Sequence, residues 1–237
     1  MTATHADGRV ERGNQTRRLI LRHAVGIASV EGLEGLSLGR LANELGLSKS
    51  GVFALFGSKV ELQLATVRAA IKVYIEHVVQ PTRELPPGLG RVWLLCRNWL
   101  TYSEQRVFPG GCFFYSVSAE YDAREGKVHD TVAGAHGSWF SLLEHTIDDA
   151  RRAGEVRDDT DIPQLAFEIV ALLEMANAES VLHSNFTCYS KAAGGILNRL
   201  RGVATDPSLL PDTPDAVPSD TVPSSTVPSD TAPSRSR

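Results

Sequence analysis

The 237-residue chain has little cysteine: three, Cys96, Cys112 and Cys188, all far apart. No Cys-x-x-Cys pair exists, which excludes a zinc ribbon. The three thiols read as small buried hydrophobes of a reducing compartment, with Cys112, after Gly110 and Gly111, the one best placed for a redox role. No apolar run approaches the length of a membrane span. The opening MTATHADGRVERGNQTRR has no hydrophobic core and is no secretory signal, so the expected location is cytoplasmic. Alternating apolar and polar stretches are almost absent, which argues against a sheet. Gly-x-Ser-x-Gly, a phosphate loop and His-Glu-x-x-His are all missing, and the seven histidines are scattered. His129 and His136 lie two helical turns apart, too far to hold a metal without a third ligand. The acidic run around Asp148, Asp149, Asp158, Asp159 and Asp161 reads as a solvated helix end and loop. No enzyme activity, catalytic residue, metal or cofactor is expected.

What is present is a pattern over SLGRLANELGLSKSGVFALFGSKVE, residues 37–61. Ser37 is an N-cap, and Leu38, Leu41, Ala42 and Leu45 follow at helical spacing. Gly46 ends that helix. Ser48 caps a second helix through about Phe56, whose buried stripe is Val52, Leu55 and Phe56. Gly57 breaks it, and Ser58 with Glu61 opens a third in the capping-box pattern. Helix, Gly-containing turn and short helix make a helix-turn-helix unit, whose second helix can lie in the major groove of DNA. Ser48, Lys49, Ser50, Gly51 and Ala54 fall on its outward side, small or basic as approach to a sugar-phosphate edge requires. Two short helices around a glycine also occur in many all-α proteins with no such role. Charge separation adds support. Residues 1–60 hold eight Lys or Arg against five Asp or Glu, a net +3, while the whole chain carries −4.

Residues 16–62 resemble the DNA-binding domain of the TetR/AcrR family of one-component repressors. The resemblance rests on VEGLEGLSLGRLANELGLSKSGVFALFGSKVEL, on the LGLSKS turn and on the aromatic-x-x-aromatic-Gly-Ser-Lys ending. PGGCFFYSVSAEYDAREGKV further on is similar to one actinobacterial-type branch. Phe53 and Leu55 stand where the family often has Tyr and His, residues that usually touch phosphates. The resemblance implies an all-α fold, with a three-helix head on a helical ligand-binding and dimerisation body. It implies double-stranded DNA contacts from Arg17, Arg18, Ser37, Ser48, Lys49, Ser50, Gly51, Phe53 and Lys59.

The remaining periodicity divides the chain into an N-terminal arm (1–14), the head (15–60), the body (61–203) and a tail (204–237). Helices are predicted over 16–30, 58–79, 89–104, 113–121, 126–154, 164–183 and 186–203, with Pro81, Pro86 and Pro87 closing the fourth helix of the chain. From Val217 a five-residue Val-Pro-Ser repeat excludes helix and sheet and predicts a disordered tail. Aromatic residues concentrate in the body, and apolar spaces between helices are common small-molecule sites. Trp99, Tyr102, Phe113 and Trp139 are the candidate walls, although each alone fits a core position equally. Few charges fall in these stripes, which points to an apolar or weakly polar effector. One helix-turn-helix reads only a few base pairs, so a homodimer on a palindromic operator is expected. Leu165, Ile169, Leu172, Leu173, Ala176, Val181, Ile196 and Leu200, on the last two helices, are its expected apolar surface. The sequence thus predicts a ligand-responsive transcriptional repressor released by a small effector. An activator or ligand-independent regulator of the same fold is the alternative, and a helical enzyme or ligand carrier a remoter one.

Overall fold

The computed structural model describes the backbone of residues 3–214 and the side chains from residue 11 onward. The five-residue repeat from Val217 lies outside the described residues. The elements are α1 (Ala3–Glu31), α2 (Leu38–Glu44), α3 (Lys49–Phe56), α4 (Lys59–Tyr74), α5 (Leu89–Glu104), α6 (Phe113–Tyr121), α7 (Lys127–Arg152), α8 (Ile162–His183) and α9 (Thr187–Val203). Among the described residues the only β-type pairing is a single antiparallel bridge, Val156 with Ala204.

The N-terminal helices form as their caps dictate. Ser37, Ser48 and Ser58 each sit in extended backbone and accept the amide of the residue three positions on, Arg40, Gly51 and Glu61, each at 3.1 Å. Gly46 and Gly57 take the positive φ values, 64° and 75°, that let the chain turn. Ile20, Ala24, Ala28, Leu33, Leu41 and Leu62, none with exposed surface, knit α1, α2 and α4 together. Residues 3–14, expected as an arm, instead continue α1 backwards, because nothing from Ala3 to Gln15 is a proline and the periodic signal alone had set the start at Thr16.

α4 runs from this cluster into the body and then widens. Residues 75–79 form a π turn in which the Gln80 amide reaches back to the Ile75 carbonyl, one residue further than in an α-helix. The expected helix over 58–79 is therefore α only to Tyr74. Pro81 lacks the amide that would continue the ladder, and a 3₁₀ turn over 80–82 closes the element.

α8 and α9 lie antiparallel. Leu172 covers Gly195, Cys188 Sγ donates to the Ala176 carbonyl at 3.1 Å, and Arg199 pairs with Glu168. A buried polar network ties them to α5. Ser103 Oγ donates to Asn177 Oδ1 at 2.9 Å, and Tyr189 Oη lies 2.8 Å from both Ser103 Oγ and Ser180 Oγ. Asn177 Oδ1 also accepts the Cys112 amide at 2.7 Å, which fixes the entry to α6.

Two expectations need correction here. Leu165, Ile169, Leu173, Ala176, Ile196 and Leu200 are buried inside the protomer, since these two helices spend that stripe on the core. The outward face of α8 carries Phe167, Met175, Val181 and Leu182, between 46% and 76% exposed. Residues 204–211, assigned to the tail, pack on the body: the Thr205 amide donates to the Glu155 carbonyl at 2.9 Å, Arg201 donates to the Pro211 carbonyl, and Leu210 is buried.

Candidate nucleic-acid interface and effector cavity

α2 and α3 form a helix-turn-helix closed by the Leu47 amide on the Ala42 carbonyl at 2.8 Å. Val52 and Phe56 face inward, leaving Lys49, Ser50, Gly51 and Phe53 on the free side of α3. Phe53 is 57% exposed, an apolar ring in water with nothing to bury it. A side chain at Gly51 would press on Ser48 Oγ at 2.8 Å, so the serine would have to shift to admit one. Ser37 and Ser48 spend their hydroxyls as cap acceptors, and their O–H donors remain for a partner.

The other basic positions divide. Arg18 is exposed. Arg17 is committed within the protein, donating to the Leu55 carbonyl at 2.9 Å with its guanidinium 4.6 Å above the Phe56 ring. Lys59 is committed too. Its Nζ donates to the Glu34 carbonyl at 2.8 Å and to Glu34 Oε2 at 2.7 Å.

Glu34 is the centre of a junction between the N-terminal helices and the body. Lys59 above all, then Gln63 and Tyr121, hydrogen-bond its carboxylate and hold its pKa down at about 2. Tyr121 Oη donates to Glu34 Oε1 at 3.0 Å, so the last residue of α6 touches the α1–α2 turn. Its neighbour Glu120 grips that turn through the backbone, accepting the Leu33 amide at 2.7 Å and the Glu34 amide at 2.9 Å. Before α6 begins, the Gly110 amide donates to Ser29 Oγ at 3.2 Å, and a Cβ on Gly110 would run into the Ser29 carbonyl. Sequence reasoning passed over Glu120 and Gly110, because contacts across more than eighty residues leave no local signature.

The other end of α6 reaches a cavity of about 260 Å³. Its apolar wall comes from Tyr74, Trp99, Phe114, Tyr115, Trp139 and neighbouring aliphatic residues of α4 and α7. Tyr74 meets Phe114 and Trp139 edge-on, each with ring centroids 5.6 Å apart. Of the four expected wall residues, Trp99 and Trp139 line the cavity. Tyr102 and Phe113 do not: both are fully buried rings behind it, packed on Phe108 at 5.6 and 5.7 Å. Residue 113 turns away because α6 starts there and places residues 114 and 115 toward α4 and α7.

Three ionisable side chains also stand on the wall: Arg83, His136 and Glu174. His136 Nε2 is 3.6 Å from Glu174 Oε1, and the carboxylate raises the imidazole pKa. Cys112 forms part of the wall as well, and burial pushes its thiol up to about 11, where the reactive thiolate is scarce. The Tyr74 hydroxyl is buried with no hydrogen-bond partner among the described residues.

The described residues thus set a helix-turn-helix on an all-helical body that encloses an aromatic cavity. Residues 88–196 match the family model described as the tetracyclin repressor-like C-terminal domain. Over those residues the body of the chain is similar to that domain, and the fold as a whole is that of solved TetR transcriptional regulators. No curated protein sequence matches the chain. Its fold is that of a TetR regulator from Chloroflexus aurantiacus, at 21% identity and a TM-score of 0.76, over 82% of this chain and 98% of that one. AibR, solved with isovaleryl coenzyme A and operator DNA, is 17% identical with a TM-score of 0.62, covering 76% of this chain and 95% of its own. A regulator from Saccharomonospora viridis solved with choline is 17% identical with a TM-score of 0.67, covering 81% of this chain and all of its own.

Proposed function

We propose that the chain is a homodimeric repressor that binds a palindromic operator and is released by a small effector held in the aromatic cavity, its apolar body against the rings. The observation that carries this reading is the reach of α6. Phe114 and Tyr115 stand on the cavity wall, and Glu120 and Tyr121 hold the α1–α2 turn of the head. α4 makes a second link, with Tyr74 on the wall and Lys59 locked to Glu34 beneath α3. A guest that shifts either helix turns the head relative to the body. In a two-fold dimer it thereby changes the spacing of two recognition helices that must meet half-sites about 34–36 Å apart. DNA and effector then weaken each other by the same factor. The complexes of AibR with operator DNA and of the S. viridis regulator with choline support the idea that this fold serves both partners.

The DNA face is α3, with Lys49, Ser50, Gly51 and the donors of Ser37 and Ser48, flanked by Arg18. Arg17 and Lys59 support it from within. The dimer forms through the outward stripe of α8. Absence of any helix long and apolar enough to cross a membrane, among the described residues, fits the cytoplasmic location such a function needs.

The test is selection of operator DNA from a random pool, then titration by fluorescence anisotropy at several salt concentrations. A palindrome should emerge. Lys49→Ala should weaken its binding and lower the salt slope by about one, as loss of one phosphate contact does. Lys59→Ala should leave that slope unchanged, since its charge is already paired. Selection of no recurrent sequence overturns the proposal.

A further inference from the structure

Resting on the effector reading above, we infer that the effector bears an organic cation, a quaternary or protonated tertiary ammonium group, set among Tyr74, Trp99, Phe114 and Trp139 with Glu174 as its counter-charge. Two independent features of the cavity lead there. The first is the rings. Aromatic faces carry negative quadrupole charge, and a cation within about 6 Å of a ring centroid is attracted to it, most strongly where water is excluded. Here Tyr74, Trp99, Phe114 and Trp139 all border the cavity, contributed by α4, α5, α6 and α7, so aromatic side chains surround it from several helices. The Tyr74 hydroxyl adds an unpartnered oxygen.

The second is the charge. Among the described residues Glu174 is the only carboxylate on the wall, and its side chain is 34% exposed. Its partner among the described residues is His136. His136 Nε2 lies 3.6 Å away, a long contact that leaves the carboxylate room for a second, fully charged partner. A carboxylate two-thirds covered, beside aromatic walls of low dielectric, attracts a guest cation more strongly than one in open water. Arg83 also borders the cavity, but it is more exposed than Glu174, and salt screens an exposed charge over about 10 Å. An anionic guest would have to sit by that exposed arginine or displace Glu174 from His136. The interior favours the opposite sign.

Three probes of similar bulk separate the possibilities: benzyltrimethylammonium, its uncharged isostere neopentylbenzene, and phenylacetate. Each is titrated against the full chain by thermal shift and calorimetry, and then tested for release of the selected operator. The ammonium probe should bind at least tenfold tighter than neopentylbenzene and release DNA. Glu174→Gln, which keeps size and polarity, should bring the two probes within about threefold of each other. Phe114→Leu, a second variant that keeps apolar bulk, should weaken the ammonium probe and spare the neutral one. If neopentylbenzene or phenylacetate binds as tightly and releases DNA, the charge assignment is overturned while the cavity remains the effector site. If no probe binds or releases DNA, this inference falls, and operator release by unrelated apolar compounds then decides the effector reading separately.

Discussion

Glu120 lends itself to a quantitative experiment, because one side chain on α6 satisfies two backbone amides of the α1–α2 turn. Glu120→Ala removes the acceptor of the Leu33 amide at 2.7 Å and of the Glu34 amide at 2.9 Å. Hydrogen bonds to a charged group contribute about 1.5–3 kcal/mol each. The Leu33 amide is partly buried and the Glu34 amide is exposed, so water replaces the second almost freely. The expected loss is about 2–3 kcal/mol in all, most of it from the first bond. For a domain of this size 1 kcal/mol shifts the melting temperature by about 2–4 °C, so the variant should melt roughly 4–12 °C lower. Differential scanning calorimetry measures this directly. Function should change further than stability alone requires. With the clamp gone, the operator still binds at low temperature, but saturating effector should release it less completely, because α6 no longer carries the displacement. Glu120→Gln keeps one amide oxygen as acceptor and should lie between the two. A melting temperature within about 1 °C of the parent, with effector release intact, would refute both the energetic weight given to this contact and its role in coupling.

Three further outcomes follow from the geometry. Phe167→Glu or Met175→Glu, on the outward stripe of α8, should give folded monomers by light scattering and circular dichroism. Operator affinity should drop by about two orders of magnitude, since the second half-site is no longer held at high effective concentration. Ile196→Glu, which has no exposed surface, should instead fail to fold; a folded dimer in all three would move the interface elsewhere. The Glu34 carboxyl, held near 2 by Lys59, Gln63 and Tyr121, stabilises the folded state fully above about 4.5, and that contribution disappears as pH falls from about 4.5 towards 2. Glu34→Gln should therefore flatten the acid limb of a stability-versus-pH curve, and a parallel limb in parent and variant would show that Glu34 is solvated. Leu210→Ala should cost about 2–3 kcal/mol by urea titration, near the lower range for a buried leucine; no change would return residues 204–211 to the tail.

Helix boundaries in the body were readable in the sequence where a break residue stands at each end. α5 begins after Gly88 and α6 just past the Gly110–Gly111 break, and both span the residues that periodicity predicts, Leu89–Glu104 and Phe113–Tyr121. The caps of α2, α3 and α4 were readable because a serine three residues before its amide partner is a local rule. What failed is long-range. Whether Ile196 faces its own protomer or another depends on the neighbour of α9, not on its spacing. Tyr102 and Phe113 belong to the aromatic cluster the sequence singles out, yet they form its second layer, a distinction made only when α4 and α7 close over Phe114. Lys59 read as a free cation because Glu34 lies twenty-five residues away across the α1–α2 turn. His136 and Glu174, on different helices, gave no joint signal at all.

The π turn at residues 75–79 makes the spacer between head and body one residue longer than a regular helix would need. Chain length there acts as a register pin. Deleting one residue from the turn lets an α ladder form without rotating the elements on either side, whereas the same deletion inside α4 turns the head by about 100° around the helix axis. The turn places Ile75 and Val79 on the cavity wall together with Tyr74. A one-residue deletion at this point therefore reshapes the chamber while the helix-turn-helix keeps its orientation, so the lining of the one and the aim of the other can vary independently.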